Sequence, residues 1–566
     1  MTNTINFMVG GEAGQGVQSI GYLLTKSLAR YGYHVFSDQD YESRVRGGHN
    51  FFRIRVSQSP VSAVSEKIDI LVAFNLETIA LHRHEVVPTG IIIYDEELIQ
   101  NLQDNNLLSI PADRLAQEAT GGKQATNTVL LAAALAICGY EFKSFVNILE
   151  EFFGKESTEK NIKAADAAYK YVEARSIKKS QYRLQRIGNT SRMVLNGNEA
   201  MSLGALAAGC KFMAAYPMTP VTPIMEYMAA KSRDFDIVVV PAEDEIAAIN
   251  MVVGAGYAGI RAMTATSGGG FCLMVEGLGL AGMTETPIVV IEGQRPGPAI
   301  GLPTRQEQGD LQFVLHASQG EFPRIVLAPS TIEECFWTLE KAFNLADKYQ
   351  LPVIVMTDHH LATSYNTVER FDLTRTTIDR GLLNTAKTNA YQRYLFTENG
   401  ISPRAFPGKS AALVVTDSDE HDENGHLTED PVTRTRMTNK RLGKLALTQD
   451  DVEPPKLYGP EQPDTILVGW GSTFGAIHEA VTTLNDRGKK IAHLHFRGIW
   501  PFPKNIVKDI LADNLEIFVV ESNATGQLAQ LIRQETCIPV NNNILRYDGR
   551  PFTPADIITA VEQEAK

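Results

Sequence analysis

The heptapeptide GGEAGQG at 10–16 separates a short apolar run, residues 5–9, from residues 17–30, where Ile20, Leu23, Leu24 and Leu28 recur at helical spacing. A strand that turns through glycines into a helix commits a chain to helices packed on a sheet, because each element has one apolar face to bury. The pattern continues with strand candidates at 34–36, 51–56, 68–74 and 90–94. It returns at 236–240, 261–266, 287–291 and 351–356, with a second, hydroxyl-rich glycine loop, TATSGGG, at 264–270. The fold class expected is multidomain α/β, with mixed or parallel sheets.

The chain has 566 residues, enough for about three or four domains at roughly 150 residues each. Residues 1–175 read as a first α/β domain. Residues 176–192 read as a solvated basic linker, since Arg175, Lys178, Lys179, Arg183, Arg186 and Arg192 occur with no acid between Glu173 and Glu199. Residues 193–370 form a second α/β domain, 371–462 a polar, irregular connector, and 463–566 a closing α/β domain.

A net charge of −13 leaves little basic surface for phosphates, so nucleic acid is not an expected partner. No run of about 18 uncharged apolar residues calls for a membrane span, and the first 16 residues lack a leader pattern. Five dispersed cysteines without a CxxC fit a reducing cytoplasm, and are expected to be buried and inert. They argue against a metal or iron–sulfur site held by this chain alone. The acidic run 417–426 fits no calcium loop, since Asp422 stands where the turn glycine is needed, and reads as a solvated loop.

Four strings carry chemistry. In YPMTP at 216–220, two prolines clamp a short loop and present Thr219, either as a ligand group or as the cap of a rigid turn. Glu243, Asp244 and Glu245 lead into an apolar helix expected over 243–258. Helix-end electrostatics explains the first two; Glu245, beside Ile246 and Ile249, is explained less well. Arg295 and Arg305 lie in Pro/Gly-rigid loops and suit a carboxylate, or structural ion pairs. Gly11, Gly14 and Gly16 form an anion-binding loop or only a tight turn.

The loop 10–16, with Arg46-Gly47-Gly48 and the strand 51–57, resembles the γ subunit of 2-oxoacid:ferredoxin oxidoreductases. YPMTP (YPITP in that family), the EIAAIN helix, TATSGGG and GLPTRQEQGDL, in family order, closely resemble its α subunit, and the match extends to LVGWG at 467–471 and YDGRPF at 547–552. The resemblance implies a γ-type domain, a pyrimidine-binding domain like those of thiamine diphosphate enzymes, and a transketolase-C-like domain. It implies Glu245, with Glu243 as competitor, as the catalytic carboxyl on the aminopyrimidine ring. Thr219, Tyr216, Arg305 and, second to it, Arg295 are then substrate residues, and Pro217, Ser267, Gly268 and Gly269 line the cofactor. The loop 10–16 faces the coenzyme A side.

Thiamine enzymes hold Mg²⁺ and diphosphate with a GDG and a later Asn, which this chain lacks. The resemblance therefore implies a separate β subunit carrying the diphosphate, Mg²⁺ and a 4Fe–4S cluster, an (αβ)2 assembly, and ferredoxin as electron partner. 2-Oxoglutarate is the implied substrate, with coenzyme A as co-substrate. Two other readings stay open: a non-redox thiamine lyase or transferase subunit, and a non-catalytic coenzyme A- or nucleotide-binding assembly subunit.

Overall fold

The computed structural model describes residues 4–44, 47–98, 106–175, 181–188, 192–384, 391–409, 411–511, 515–540 and 542–564. Arg46, Lys178 and Lys179 lie outside these. The chain divides into two compact units: residues 1–195 with 364–370, and residues 196–363 with 371–566.

The first unit is built on an eight-stranded sheet ordered Leu107–Ile110, Val86–Asp95, Ile68–Ala73, Ile5–Glu12, His49–Ser57, His34–Asp40, Tyr365–Val368, Met193–Asn196. Its first four strands are parallel, and His49–Ser57 and His34–Asp40 add antiparallel neighbours. The amphipathic helix Val17–Arg30 lays Ile20, Leu23, Leu24 and Leu28 on this sheet, as the spacing predicts. The apolar helix Thr126–Ile137 is buried on nearly every side, which a stretch hydrophobic all round requires.

The second unit holds a seven-stranded sheet in the order Gly498–Trp500, Ile325–Leu327, Pro352–Asp358, Ile288–Gln294, Ala262–Thr266, Phe212–Ala215, Val238–Pro241. All its pairings are parallel except that of Gly498–Trp500. The central strands Ala262–Thr266, Ile288–Gln294 and Pro352–Asp358 are buried at every position, as strands covered by helices on both faces must be. A five-stranded sheet follows, in the order Lys456–Tyr458, Ile491–Phe496, Thr465–Trp470, Glu516–Glu521, Asn542–Leu545, and shares a continuous apolar core with the seven-stranded one.

Three expectations need correction. The stretch 371–462 is not irregular throughout: Pro431–Leu447 is a 17-residue helix, capped by Asp430. Its apolar content is low because the face it buries carries charge: Lys440 and Lys444 reach the buried carboxylate of Glu285. Nor is 417–426 simply solvated. Glu420 pairs with Arg434 and Arg441, and the His421 ring is fully buried against Tyr394. Finally, Cys138, Cys210 and Cys335 are buried, but Cys272 and Cys537 are exposed.

Candidate active site

In the seven-stranded sheet the chain order reverses at Phe212–Ala215. The following strand, Val238–Pro241, pairs on one side of it, and the next, Ala262–Thr266, on the other. Open α/β sheets bind ligands outside the carboxyl ends of the strands at such a reversal. The strands Phe212–Ala215 and Ala262–Thr266, neighbours there, end in the sequence's most distinctive loops, 216–220 and 267–270.

Asp244 caps the helix Glu245–Tyr257, accepting from the Ala247 N–H at 2.7 Å. With the cap supplied, Glu245 is the first helical residue and turns inward, only 3% exposed, while Glu243 is exposed. Glu245 Oε1 is buried without a hydrogen-bond partner, and a buried carboxyl oxygen left unpaired is costly. It lies against the first turn of the helix Gly268–Met283, where a Cβ on Gly270 would stand 2.5 Å from Oε1.

Ser267 is the extended N-cap residue of that helix; its hydroxyl donates to Met218 Sδ of the 216–220 loop rather than capping the helix. The loop is fixed from two further sides. Asn198 Nδ2 donates to the Pro220 carbonyl at 2.9 Å, and Arg295 Nη1 to the Thr219 carbonyl at 2.9 Å. The Thr219–Pro220 bond is cis, Tyr216 is 42% exposed, and Pro217 is exposed beside it. Burial lowers the affinity of Arg295 for its proton relative to a free guanidinium.

Arg305 is placed by a different set of contacts. Its loop is pinned to the C-terminal five-stranded domain: the Gln306 N–H donates to the Gly549 carbonyl at 3.1 Å, and Gln308 Nε2 to the Trp470 carbonyl at 3.1 Å. Asn523 Nδ2 donates to the Gln308 carbonyl at 3.1 Å. The Arg305 guanidinium reaches the Thr304 carbonyl at 3.5 Å.

This arrangement coincides with three family models laid end to end. Residues 6–171 match pyruvate ferredoxin/flavodoxin oxidoreductase, 203–440 match pyruvate flavodoxin/ferredoxin oxidoreductase, thiamine diP-bdg, and 463–557 match pyruvate:ferredoxin oxidoreductase core domain II. The 2-oxoacid:ferredoxin oxidoreductase subunit alpha of Sulfolobus sp. is 34% identical, covering 97% of this chain and 95% of its own. The chain belongs to the 2-oxoacid:ferredoxin oxidoreductase family, as an α subunit.

Within that family it is 28% identical to the 2-oxoglutarate oxidoreductase subunit KorA of Mycobacterium tuberculosis, over 97% of this chain and 89% of that one. A solved 2-oxoglutarate:ferredoxin oxidoreductase from Magnetococcus marinus, with 2-oxoglutarate, coenzyme A and succinyl-CoA bound, superposes with a TM-score of 0.92 at 32% identity, covering 100% of both chains. The fold is thus that of a 2-oxoacid:ferredoxin oxidoreductase, multidomain α/β as expected.

Of the residues singled out in the sequence, the structure gathers Glu245, Ser267 and Gly268 at one glycine turn. It ties that turn through Met218 to the loop of Tyr216, Pro217 and Thr219, with Arg295 behind it. Gly269 is exposed on the same turn. In the first unit, Gly11 belongs to the strand Ile5–Glu12, and Gly14 and Gly16 take the positive φ values, 96° and 74°, that the turn into the helix Val17–Arg30 demands. Sequence reasoning missed Asn198 and Met218 as the groups that hold the 216–220 loop in place, each a buried or half-buried polar or soft group whose partner is remote in the chain. Among the described residues no group of three or more His, Cys, Asp or Glu could hold a metal ion, and no helix is long and apolar enough to cross a membrane.

Proposed function

We propose that this chain is the α subunit, with a γ-type region fused at its N-terminus, of an enzyme that oxidatively decarboxylates a 2-oxo acid, 2-oxoglutarate foremost, to its acyl-CoA. In the balanced reaction, R–CO–COO⁻ and CoA–SH give R–CO–S–CoA, CO2 and one proton, and two electrons reduce two ferredoxins. The observation that carries this reading is the orphaned, buried Oε1 of Glu245, backed by a residue without a side chain, Gly270. The donor set suits an aminopyrimidine ring: one carboxyl oxygen without a partner, a flat glycine turn and the thioether of Met218.

Thiamine diphosphate, when bound, supplies the carbanion chemistry at the substrate carbonyl. Glu245 holds and moves a proton at Oε1, a general acid–base role that burial beside a ring nitrogen favours. Thr219 offers its hydroxyl to the 2-oxo acid, and Arg295 keeps the Thr219 loop in place by its bond to the Thr219 carbonyl. Arg305 offers a guanidinium to the substrate carboxylate, and Tyr216 is a further substrate residue. Pro217, Ser267, Gly268 and Gly269 line the cofactor. The glycine loop of Gly11, Gly14 and Gly16 serves the coenzyme A side. A β subunit contributes the diphosphate site with Mg²⁺ and a 4Fe–4S cluster, in a cytoplasmic (αβ)2 assembly. This reading is supported by the coenzyme A and 2-oxoglutarate named for the Magnetococcus enzyme.

The test is co-expression with the β subunit, followed by viologen reduction over a panel of 2-oxo acids with and without coenzyme A. Coenzyme A-dependent reduction fastest with 2-oxoglutarate is expected. Decarboxylation that reduces no viologen and ignores coenzyme A would favour a non-redox thiamine lyase instead.

A further inference from the structure

A second carboxyl group flanks the glycine turn. Asp310 sits so close that a Cβ on Gly268 would run into its Oδ2, two residues from the glycine that backs Glu245. The Asp310 N–H donates to Gln294 Oε1 at 3.2 Å. Behind Asp310 lies Glu292, on the strand Ile288–Gln294 and 0% exposed. No N–H or hydroxyl reaches either Glu292 oxygen, and the Asp310 carboxyl faces it.

Two carboxyls in contact inside a protein cannot both be ionised; one must carry a proton. The surroundings decide which. Glu292 is faced by Asp310 from the loop before the helix Leu311–His316, by Asp358 at the end of Pro352–Asp358, and by the Cys272 thiol from Gly268–Met283. Asp310 is faced by Glu292, Glu307 and Cys272, and is less buried. Burial first, and the Asp310 charge second, push the Glu292 carboxyl well above the ordinary carboxylate range.

We infer that Glu292 is a neutral hydrogen-bond donor that positions the Asp310 carboxylate against Gly268, so that the turn beside Glu245 is held from both sides. Glu292 is thus a positioning residue acting through Asp310. Its kinetic consequences rest on the reaction proposed above, whereas its protonation does not.

The pair is tested on the αβ holoenzyme in two ways. Infrared spectra without substrate at neutral pH should contain the carbonyl stretch of a buried protonated carboxylic acid, lost in Glu292→Gln. Absence of that difference overturns the inference, whatever the enzyme's activity. In kinetics, Glu292→Leu removes the donor, which disfavours ionised Asp310. The acid limb of kcat/KM should move up by about one pH unit and kcat at pH 7 should fall about tenfold. Glu292→Gln, which still donates, should recover both, and in an Asp310→Asn background the two Glu292 variants should behave alike. A Gln variant as impaired as the Leu variant would mean that the proton has to move, and would overturn the donor role. If the complex proves to have no oxidoreductase activity while the infrared band is present, the proposed reaction fails and the carboxyl pair stands.

Discussion

Glu245 Oε1 and Thr266 Oγ1 together occupy the space that a side chain on Gly270 would need, since a Cβ there would stand 2.5 Å from the carboxyl oxygen and closer still to the hydroxyl. The carboxyl and the glycine turn therefore fit as one unit, and Gly270→Ala tests the fit. Alanine is favoured over glycine inside a helix by about 1 kcal/mol, so helix propensity cannot explain a loss. The expected outcome is a folded protein in which the Glu245 carboxyl and the Thr266 hydroxyl are pushed aside. The 2-oxo acid-dependent kcat should fall about 100-fold, the scale of an ångström misplacement at a reacting group. Steady-state assay with circular dichroism as a folding control checks it.

Two acids one residue apart from Asp244 offer an internal control. Glu245 is buried, and Glu243 is exposed. Glu245→Gln keeps the size and loses the proton chemistry, so kcat should drop by about 10²–10⁴. Glu243→Gln should stay within about twofold, as exposed substitutions usually do. Equal losses in the two variants would remove Glu245 from its role.

Much of this was legible in the sequence because it rests on local rules. The helix Val17–Arg30 has the bounds that its apolar spacing gives. The inward turn of Glu245 follows from Asp244 taking the cap, which leaves the next residue free to point into the core. What stayed hidden depends on contacts remote in the chain. Lys440 and Lys444 lie in the stretch read as a polar connector, and the carboxylate they reach, Glu285, is 155 and 159 residues away. The Glu292–Asp310 pair was hidden for the same reason, since a carboxyl that stays neutral reads in sequence like any other acid. The strand order that makes 216–220 and 267–270 neighbours is a property of the sheet, and no periodicity reports it.

Arg295 and Arg305 should separate kinetically. Arg295 touches the backbone of the Thr219 loop, at 2.9 Å, whereas the Arg305 loop is pinned to the C-terminal domain. Arg295→Met removes a charged hydrogen bond worth roughly 1.5–3 kcal/mol. It should weaken thiamine diphosphate binding and raise KM for the 2-oxo acid together, each about tenfold or more, because the loop lines both. Arg305→Met should raise KM alone. Calorimetric cofactor titration beside steady-state kinetics distinguishes the two, and an unchanged cofactor Kd in Arg295→Met would refute the anchoring role.

Glu285 pairs with both of the buried lysines Lys440 and Lys444, with the Lys440 ammonium at 2.6 Å. Burial, outweighing the attraction of Glu285, pushes Lys444 down to about 7. Glu285→Gln leaves these cations unpaired, which costs about 3–5 kcal/mol. The loss should shrink as pH rises from 7 to 9. A lysine whose folded proton affinity is depressed binds fewer protons folded than unfolded, so stability climbs with pH until it is neutral in both states. Chemical denaturation at the two pH values measures this.

His493 and His495 give the C-terminal domain an acid sensitivity of its own. They share one face of the strand Ile491–Phe496, with no solvent exposure, and their rings meet at 3.0 Å between Nε2 and Nδ1. Burial pushes His495 down to about 3 and His493 well below its usual value, and the charges of Arg497 and the neighbouring imidazoles act in the same direction. Unfolded, both titrate near 6.5. Between these limits the folded state binds fewer protons than the unfolded one, so stability is full above about pH 6.5 and falls as the pH drops below it. At pH 5.5, one unit below the unfolded value, each imidazole costs about 1.4 kcal/mol. Trp470, fully buried on the adjacent strand Thr465–Trp470, reports unfolding of this sheet by fluorescence once Trp337 and Trp500 are replaced by Phe. In that background the denaturation midpoint should fall between pH 7.5 and 5.5. The double substitution His493→Leu with His495→Leu should flatten the fall, whereas an undiminished slope would assign it to carboxylates elsewhere.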